Sequence, residues 1–209
     1  MPFLKVALTG GIACGKSIVA DYLEKKGCYI HRADEVAHQL MLPGKKVWKM
    51  IVAHFGESIL NPDGTINRRQ LGEIVFGNQQ AREFLNHLIH PLVLKKKKQI
   101  LRRLEKTNKE GIFISEAALT IEAGFISFFD KIIVVWCPEE IQIERLMSRN
   151  QLTREEAERR IRAQLPVKEK LKYADYVIDT SGTIEETLAQ TEKVFQSLLK
   201  DLEVKKLAN

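Results

Sequence analysis

Residues 9–17 read TGGIACGKS, and residues 4–8 directly before them read LKVAL. The short apolar run has the pattern of a buried strand, and the glycines close it in a tight turn. Residues 17–26 follow as a helix: Val19 and Leu23 stack at i, i+4, and Gly27 stands where a left-handed C-terminal cap belongs. That order of strand, glycine turn and helix is the context that G-x-x-x-x-G-K-[ST] requires, with Gly10, Gly15, Lys16 and Ser17 in the fixed places. Glycines let the backbone wrap a phosphate, so that successive N–H groups and a helix N-terminus point at the anion. Lys16 then reaches the β- and γ-phosphates, and the Ser17 hydroxyl ligates Mg²⁺. The competing reading, a chance glycine turn before a helix, does not account for the strand and helix on either side. A nucleoside triphosphate and Mg²⁺ are the expected ligands, with Gly10, Gly11, Ala13, Cys14, Gly15, Lys16, Ser17 and Ile18 as the binding stretch.

Outward from the loop, β-rich runs at 28–31, 112–115 (IFIS), 132–136 (IIVVW) and 176–178 alternate with helical stretches. Such alternation predicts an α/β fold, a parallel sheet covered by helices on both faces. Pro138 opens the helix after the fourth strand, and Thr153 with Glu156 forms a capping-box pair that starts another. Asn61-Pro62-Asp63-Gly64 is a turn between two helical pieces, so residues 40–104 read as a mostly helical insertion. The charged tail at 201–209 is expected to fray.

With 209 residues, 44% of them hydrophobic and 29% charged, the chain is globular rather than disordered or fibrous. Its 33 Lys and Arg against 27 Asp and Glu leave +6, a surplus that suits acidic partners without choosing among them. The surplus is local: residues 91–109 hold eight basic side chains against Glu105 alone, a net +7 that leaves −1 for the rest. Val93, Ile100 and Leu104 form an apolar stripe on that helix, and Lys97 falls within it, so Lys97 is the lysine expected to turn inward, towards an acidic ligand. No aromatic-interleaved basic stretch or helix-turn-helix signature accompanies it, so no nucleic acid is expected. Three widely spaced cysteines, Cys14, Cys28 and Cys137, argue against a disulfide framework or a zinc cage and fit a reducing, cytoplasmic setting. The longest apolar run, residues 132–137, is far short of a membrane span, and no signal peptide or anchor is visible.

A triphosphate site does not say what happens to the phosphate. The guanine-reading N-K-x-D has one near match, Asn108-Lys109-Glu110-Gly111, with Gly111 where the base-binding Asp belongs, which disfavours a GTPase. Asp34 lies just past the second strand, at the end of the sheet where ligands of parallel α/β folds bind, and a kinase needs a carboxylate there to orient an acceptor hydroxyl and take its proton. An N-cap for a helix at 35–40 would use the same residue, and spacing leaves both readings open. Arg145 and Arg149, at i, i+4 after the fourth strand, are the best placed of several arginines to close over a phosphoryl group; the others read as a solvated helix laced with Glu–Arg pairs. His87 and His90 have a metal-like spacing, but with Pro91 ending or kinking their helix a structural role is expected. Glu116 and Glu122 follow the third strand; either could hold Mg²⁺ through water, solvent exposure being the simpler reading of both.

Together the segments ALTGGIACGKS, ADEVAHQLMLPG, DGTINRRQLGEIVF, LNHLIHPLV, IERLMSRNQLTREEAERRIRAQ and ADYVIDTSGT resemble the dephospho-coenzyme A kinase family, in order and from about residue 6 to 182. The resemblance implies a single P-loop kinase domain over 1–209: a core at about 1–39, 110–138 and 173–200, a helical coenzyme-binding insertion at about 40–109, and a lid at about 139–172. It implies transfer of the ATP γ-phosphoryl to the ribose 3′-hydroxyl of dephospho-coenzyme A by a monomer or weak homo-oligomer. By motif it assigns Lys16, Asp34 and Arg145 as catalytic, Ser17 as the metal residue, Arg149 to the nucleotide, and Thr9, Asp34, Arg68, Arg69 and His90 to the acceptor, to which Lys97 is added from its place in the helix stripe. Two departures stand out. Arg32-Ala33-Asp34 replaces the family's frequent Asp-Ala-Asp, removing a carboxylate, and Ala118-Leu119-Thr120-Ile121-Glu122 replaces a Pro-Leu-Leu-Phe-Glu stretch. A nucleoside or nucleoside monophosphate kinase of the same fold is the alternative within enzymes, and an ATP-dependent nucleic-acid-binding module the alternative outside them.

Overall fold

A computed structural model describes residues 3–107 and 110–208. Asn108 and Lys109, in the near match to the guanine motif, lie outside the described residues. The chain divides into two compact units, Met1–Arg32 with Ile100–Asn209, and Ala33–Gln99.

The first unit is built on a five-stranded, wholly parallel sheet in the order β2-β3-β1-β4-β5. The strands are β1 (Phe3–Gly10), β2 (Tyr29–Arg32), β3 (Gly111–Glu116), β4 (Lys131–Trp136) and β5 (Tyr176–Asp179). Seven of the eight β1 residues are buried, as a central strand covered on both faces demands. Successive side chains leave the strand on opposite faces. Val6 and Leu8 therefore join α1 (Lys16–Lys25) and α9 (Ile184–Leu207) through Val19, Leu23, Phe195 and Leu198, whereas Ala7 joins Ile132, Val134, Val167 and Leu171 on the other side. Gly27 takes the left-handed conformation (φ +92°) expected of a helix C-cap, and the Cys28 N–H returns to the Leu23 carbonyl at 3.1 Å, turning the chain into β2. The Thr153–Glu156 capping box is formed at the start of α7 (Arg154–Arg162), and Thr183 with Glu186 makes a second at α9. Between β4 and α7 runs α6 (Glu139–Asn150), with Pro138 as its N-cap rather than its first residue. A short helix, α8 (Val167–Lys170), lies before β5.

The second unit contains α2 (Ala33–Leu40), α3 (Lys46–Phe55), α4 (Arg68–Gly77) and most of α5 (Gln79–Lys106), around Val47, Ile51, Ile59, Leu71 and Ile89. The 61–64 turn forms, with Gly64 N–H to the Asn61 carbonyl at 2.9 Å, and Asn67 caps α4 through its side chain.

Helix α5 corrects one part of an expectation: it does not end at Pro91 but continues past it. Pro91 is exposed, so the carbonyl that loses its N–H partner one turn earlier lies on the watery side, where the loss is tolerated. The helix also rotates the anticipated stripe, burying Ile89, Lys97 and Leu101 while Ile100 is 36% exposed.

Candidate active site

The glycine loop leaves β1 and enters α1 in a shape that side chains would forbid at one point and strain at others. A Cβ on Gly10 (φ +154°) would stand 2.1 Å from the Val135 carbonyl oxygen of β4. Gly15 (φ +75°) and Ala13 (φ +59°) are both left-handed, which curls the backbone into a concave turn. Gly15 occupies the N-cap of α1 and offers no side-chain cap, and the first turn holds no acidic residue. The loop therefore ends on a helix N-terminus with its positive pole uncovered, a cradle that fits a phosphate. Lys16 arches back across the loop, its Nζ donating to the Gly11 carbonyl at 2.9 Å.

Parallel register sets Arg32 of β2 beside Glu116 of β3, and Glu116 beside Leu8 of β1, so the carboxyl ends of three strands converge at the loop. The Ser17 hydroxyl donates to Glu116 Oε1 at 3.1 Å. A hydroxyl and a carboxylate oxygen at that spacing are hard donors of the kind Mg²⁺ prefers, so the residues present fit the ion. Glu116 is therefore not a solvent-facing residue: its side chain is 13% exposed and also faces Arg32 Nε at 3.8 Å. Arg32 meanwhile grips α1, donating to Asp21 Oδ1 at 2.7 Å and to both oxygens of Glu24 at 3.2 and 2.7 Å, which holds the Glu24 carboxyl below its usual range. Where a carboxylate was missing from the sequence pattern, a cation joins three carboxylates.

Arg145 is half-buried against the loop rather than extended into solvent. Its guanidinium donates to the Thr180 carbonyl at 2.6 Å, to Thr180 Oγ1 at 3.2 Å and to the Ala13 carbonyl at 3.4 Å. Thr180 Oγ1 in turn donates to the Cys14 carbonyl at 3.0 Å, so the residue just after β5 braces the loop from the side. Arg149, one turn on, is exposed and donates to Asn150 Oδ1 at 3.0 Å. Cys14 and Cys137, distant in sequence, meet with sulfurs 3.5 Å apart as free thiols. The Cys137 thiol donates to Cys14, which lowers the Cys14 pKa against the opposing effect of burial, and the Lys16 charge adds to the lowering. Thr9 is buried and its hydroxyl donates to the Ala118 carbonyl at 3.1 Å, while Ile18 is exposed on α1. Glu122 is exposed, as expected, and its Oε1 also pairs with Lys170 Nζ at 2.7 Å.

In the helical unit, α2 begins at Ala33, so Asp34 sits inside the first turn and makes no side-chain cap bond. That removes the N-cap reading, and the carboxylate is exposed. Arg68 lines a cavity of about 370 Å³ with His38, Met41, Leu42, Asn61 and Asn67. Arg69 does not join it; its Nε lies 3.3 Å from Glu73 on the exposed face of α4. His87 Nδ1 lies 2.8 Å from the Glu83 carbonyl of its own helix, and His90 is half-buried. Lys97 is buried, which pushes its pKa down to about 8. Among the described residues no helix is long and apolar enough to cross a membrane.

Sequence reasoning passed over Thr180 and Lys170 as individual residues, and over the pairing of Cys14 with Cys137. The first two sit just past β5 and at the end of α8, and only the strand order tells which loop lies beside them.

The fold compares with solved kinases at two levels. A shikimate kinase from Acinetobacter baumannii superposes with a TM-score of 0.55 at 18% identity, covering 95% of this chain and 94% of that one, a likeness of fold alone. A dephospho-CoA kinase from Campylobacter jejuni superposes with a TM-score of 0.67 at 31% identity, over 96% and 99% of the two chains. Among curated proteins, the dephospho-CoA kinase of Carboxydothermus hydrogenoformans is 44% identical over 193 residues, 91% of this chain and 92% of its own. That of Aquifex aeolicus is 40% identical over 197 residues, 94% and 98%. The family model described as dephospho-CoA kinase matches residues 4–186, from the first strand through the loop, the helical unit and the arginine-bearing helices into the start of α9, and the chain belongs to that family.

Proposed function

We propose that this chain uses Mg²⁺ and ATP to phosphorylate the ribose 3′-hydroxyl of dephospho-coenzyme A, the last step of coenzyme A synthesis. The observation that carries the reading is the loop itself: an uncapped helix N-terminus, Lys16 folded over the turn, and Ser17 3.1 Å from Glu116. When bound, Mg²⁺ and ATP supply the phosphoryl group and neutralise part of its charge.

The chain's own residues do the rest. Backbone N–H groups from Gly10 to Ser17, with Lys16, hold the phosphates, and Ser17 with Glu116 holds the metal, the carboxylate directly or through water. Arg145 contributes a fixed positive charge beside the loop, from a guanidinium anchored on Thr180. Arg149, exposed on the same helix, is free to reach the nucleotide as the solvent-facing part of the 139–172 lid closes, with Arg145 and residues 165–171 staying on the core. Asp34 accepts the proton of the acceptor hydroxyl and orients it for in-line attack. Arg68, Arg69, His90 and Lys97 serve the anionic acceptor from the helical insertion, and Thr9 supports that end of the sheet through Ala118. Three thiols fit a reducing, cytoplasmic setting for a monomer or weak homo-oligomer.

The experiment is a side-by-side assay with Mg²⁺-ATP and four acceptors: dephospho-coenzyme A, a nucleoside, a nucleoside monophosphate and shikimate. A kcat/KM for dephospho-coenzyme A about a hundredfold or more above the others is expected of a site that recognises acceptor polar groups. A preference for any of the other three rejects the reading.

A further inference from the structure

The loop has a partner that neither the kinase motif nor the proposed mechanism uses. Lys170, the last residue of α8, is fully buried, 160 positions away from the loop in sequence. An ammonium has three protons to donate and finds three acceptors here. They are the Ala118 carbonyl at 2.7 Å, Glu122 Oε1 at 2.7 Å, and the Gly10 carbonyl at 3.4 Å. The first two contacts are short and one of them joins two opposite charges; the third is long and chiefly electrostatic.

Their placement matters. Gly10 is the last residue of β1 and the first of the phosphate loop, and Ala118 lies two residues beyond Glu116, the end of β3. Thr9, beside Gly10, donates its hydroxyl to the same Ala118 carbonyl at 3.1 Å. One buried cation thus ties together the strand ends that carry the phosphate cradle and the Ser17–Glu116 pair. Glu122, which balances that cation, also accepts the Leu165 N–H at 3.1 Å, so the segment after α7 is held to the same point. Residues 167–171 are fixed in turn by Val167 and Leu171 against Ala7, Ile132 and Val134. The ammonium is therefore delivered from a rigid support and not from a loose surface chain.

We infer that Lys170 is a positioning residue of the nucleotide site: from beneath the sheet end it sets the spacing between the phosphate loop and Glu116, and so governs ATP affinity without touching ATP. The inference rests on the reading that the loop holds ATP. Its test is equilibrium binding of Mg²⁺-ATP by calorimetry, without acceptor, on the wild type, Lys170→Met and the double variant Lys170→Met/Glu122→Gln, with melting temperatures recorded in parallel. Lys170→Met strands a carboxylate and loses stability, whereas the double variant removes both charges and regains it. The expected result is an ATP Kd raised by about tenfold or more in both variants, because the Gly10 carbonyl has lost the ammonium and the Ala118 carbonyl keeps only the Thr9 hydroxyl. The KM for dephospho-coenzyme A should stay within about twofold.

A double variant that recovers ATP affinity together with its melting temperature overturns the inference, since Lys170 then only balances Glu122. An unchanged Kd in either folded variant overturns it too. A double variant that does not fold counts equally against it, because the lysine would then be a determinant of the fold rather than of the loop. Wild-type protein that fails to bind ATP rejects the underlying reading of the loop, an outcome distinct from all of these.

Discussion

Replacing Lys97 by Met should remove a pH dependence from the protein's stability. Lys97 is 3% exposed, and burial brings its pKa from the ordinary 10.5 down to about 8. In the unfolded chain the side chain keeps its proton up to about pH 10.5, whereas in the folded chain it keeps it only up to about pH 8. Between those values the unfolded state binds more protons, so this group makes stability rise with pH across that window. Below about pH 8 the folded chain carries the buried charge and the whole cost is present; at about 1.4 kcal/mol per pKa unit, a gap of that width is about 3 kcal/mol. Methionine has nearly the same length and no charge to desolvate. Urea unfolding of both proteins should therefore show the variant's stability relative to the wild type falling by about 2 kcal/mol between pH 7 and pH 10. A difference that stays constant over that range refutes the reasoning. The same variant tests the acceptor role: a KM for dephospho-coenzyme A that does not change removes Lys97 from acceptor binding.

Asp34→Asn should lower turnover by about a hundredfold or more while ATP affinity stays nearly unchanged, measured as kcat against the ATP Kd. Because Asp34 makes no cap bond, the melting temperature should hold; retained turnover removes it as the base. Gly10→Ala drives a Cβ to within 2.1 Å of the Val135 carbonyl, which only backbone movement can relieve. A loss of about 3 kcal/mol or more in urea unfolding is expected, together with loss of ATP binding. Arg32→Gln releases Asp21, Glu24 and Glu116 from one guanidinium. Its stability should change by about 1 kcal/mol or less, because two of the pairs are exposed, but the Mg²⁺ concentration for half-maximal activity should fall by about threefold, since a neighbouring positive charge is gone.

The loop was legible because its chemistry is local. Gly10 and Gly15 are imposed by backbone geometry within a few residues, and Gly27 and Thr153–Glu156 announce helix ends in the same way. The strands were legible too, since buried parallel strands are continuous apolar runs. What the pattern did not carry was lateral neighbourhood. Glu116 reads as an ordinary residue after a strand until the register sets it beside Leu8, and Arg32 reads as a missing carboxylate until Asp21, Glu24 and Glu116 close around it. Cys14 and Cys137, or Lys170 and Gly10, come together through strand order, which no local window contains. Pro91 misled as a helix end for the opposite reason: a strong local rule met a helix that continues past a proline on its exposed face.

The measurement that bears most directly on the whole account is the fate of the γ-phosphoryl group in one incubation of the protein with γ-labelled ATP, Mg²⁺ and dephospho-coenzyme A. The account predicts label on the ribose 3′-oxygen of the acceptor, located by phosphorus NMR, with ADP formed in equal amount. Label released as inorganic phosphate, or attached at any other position, would contradict it.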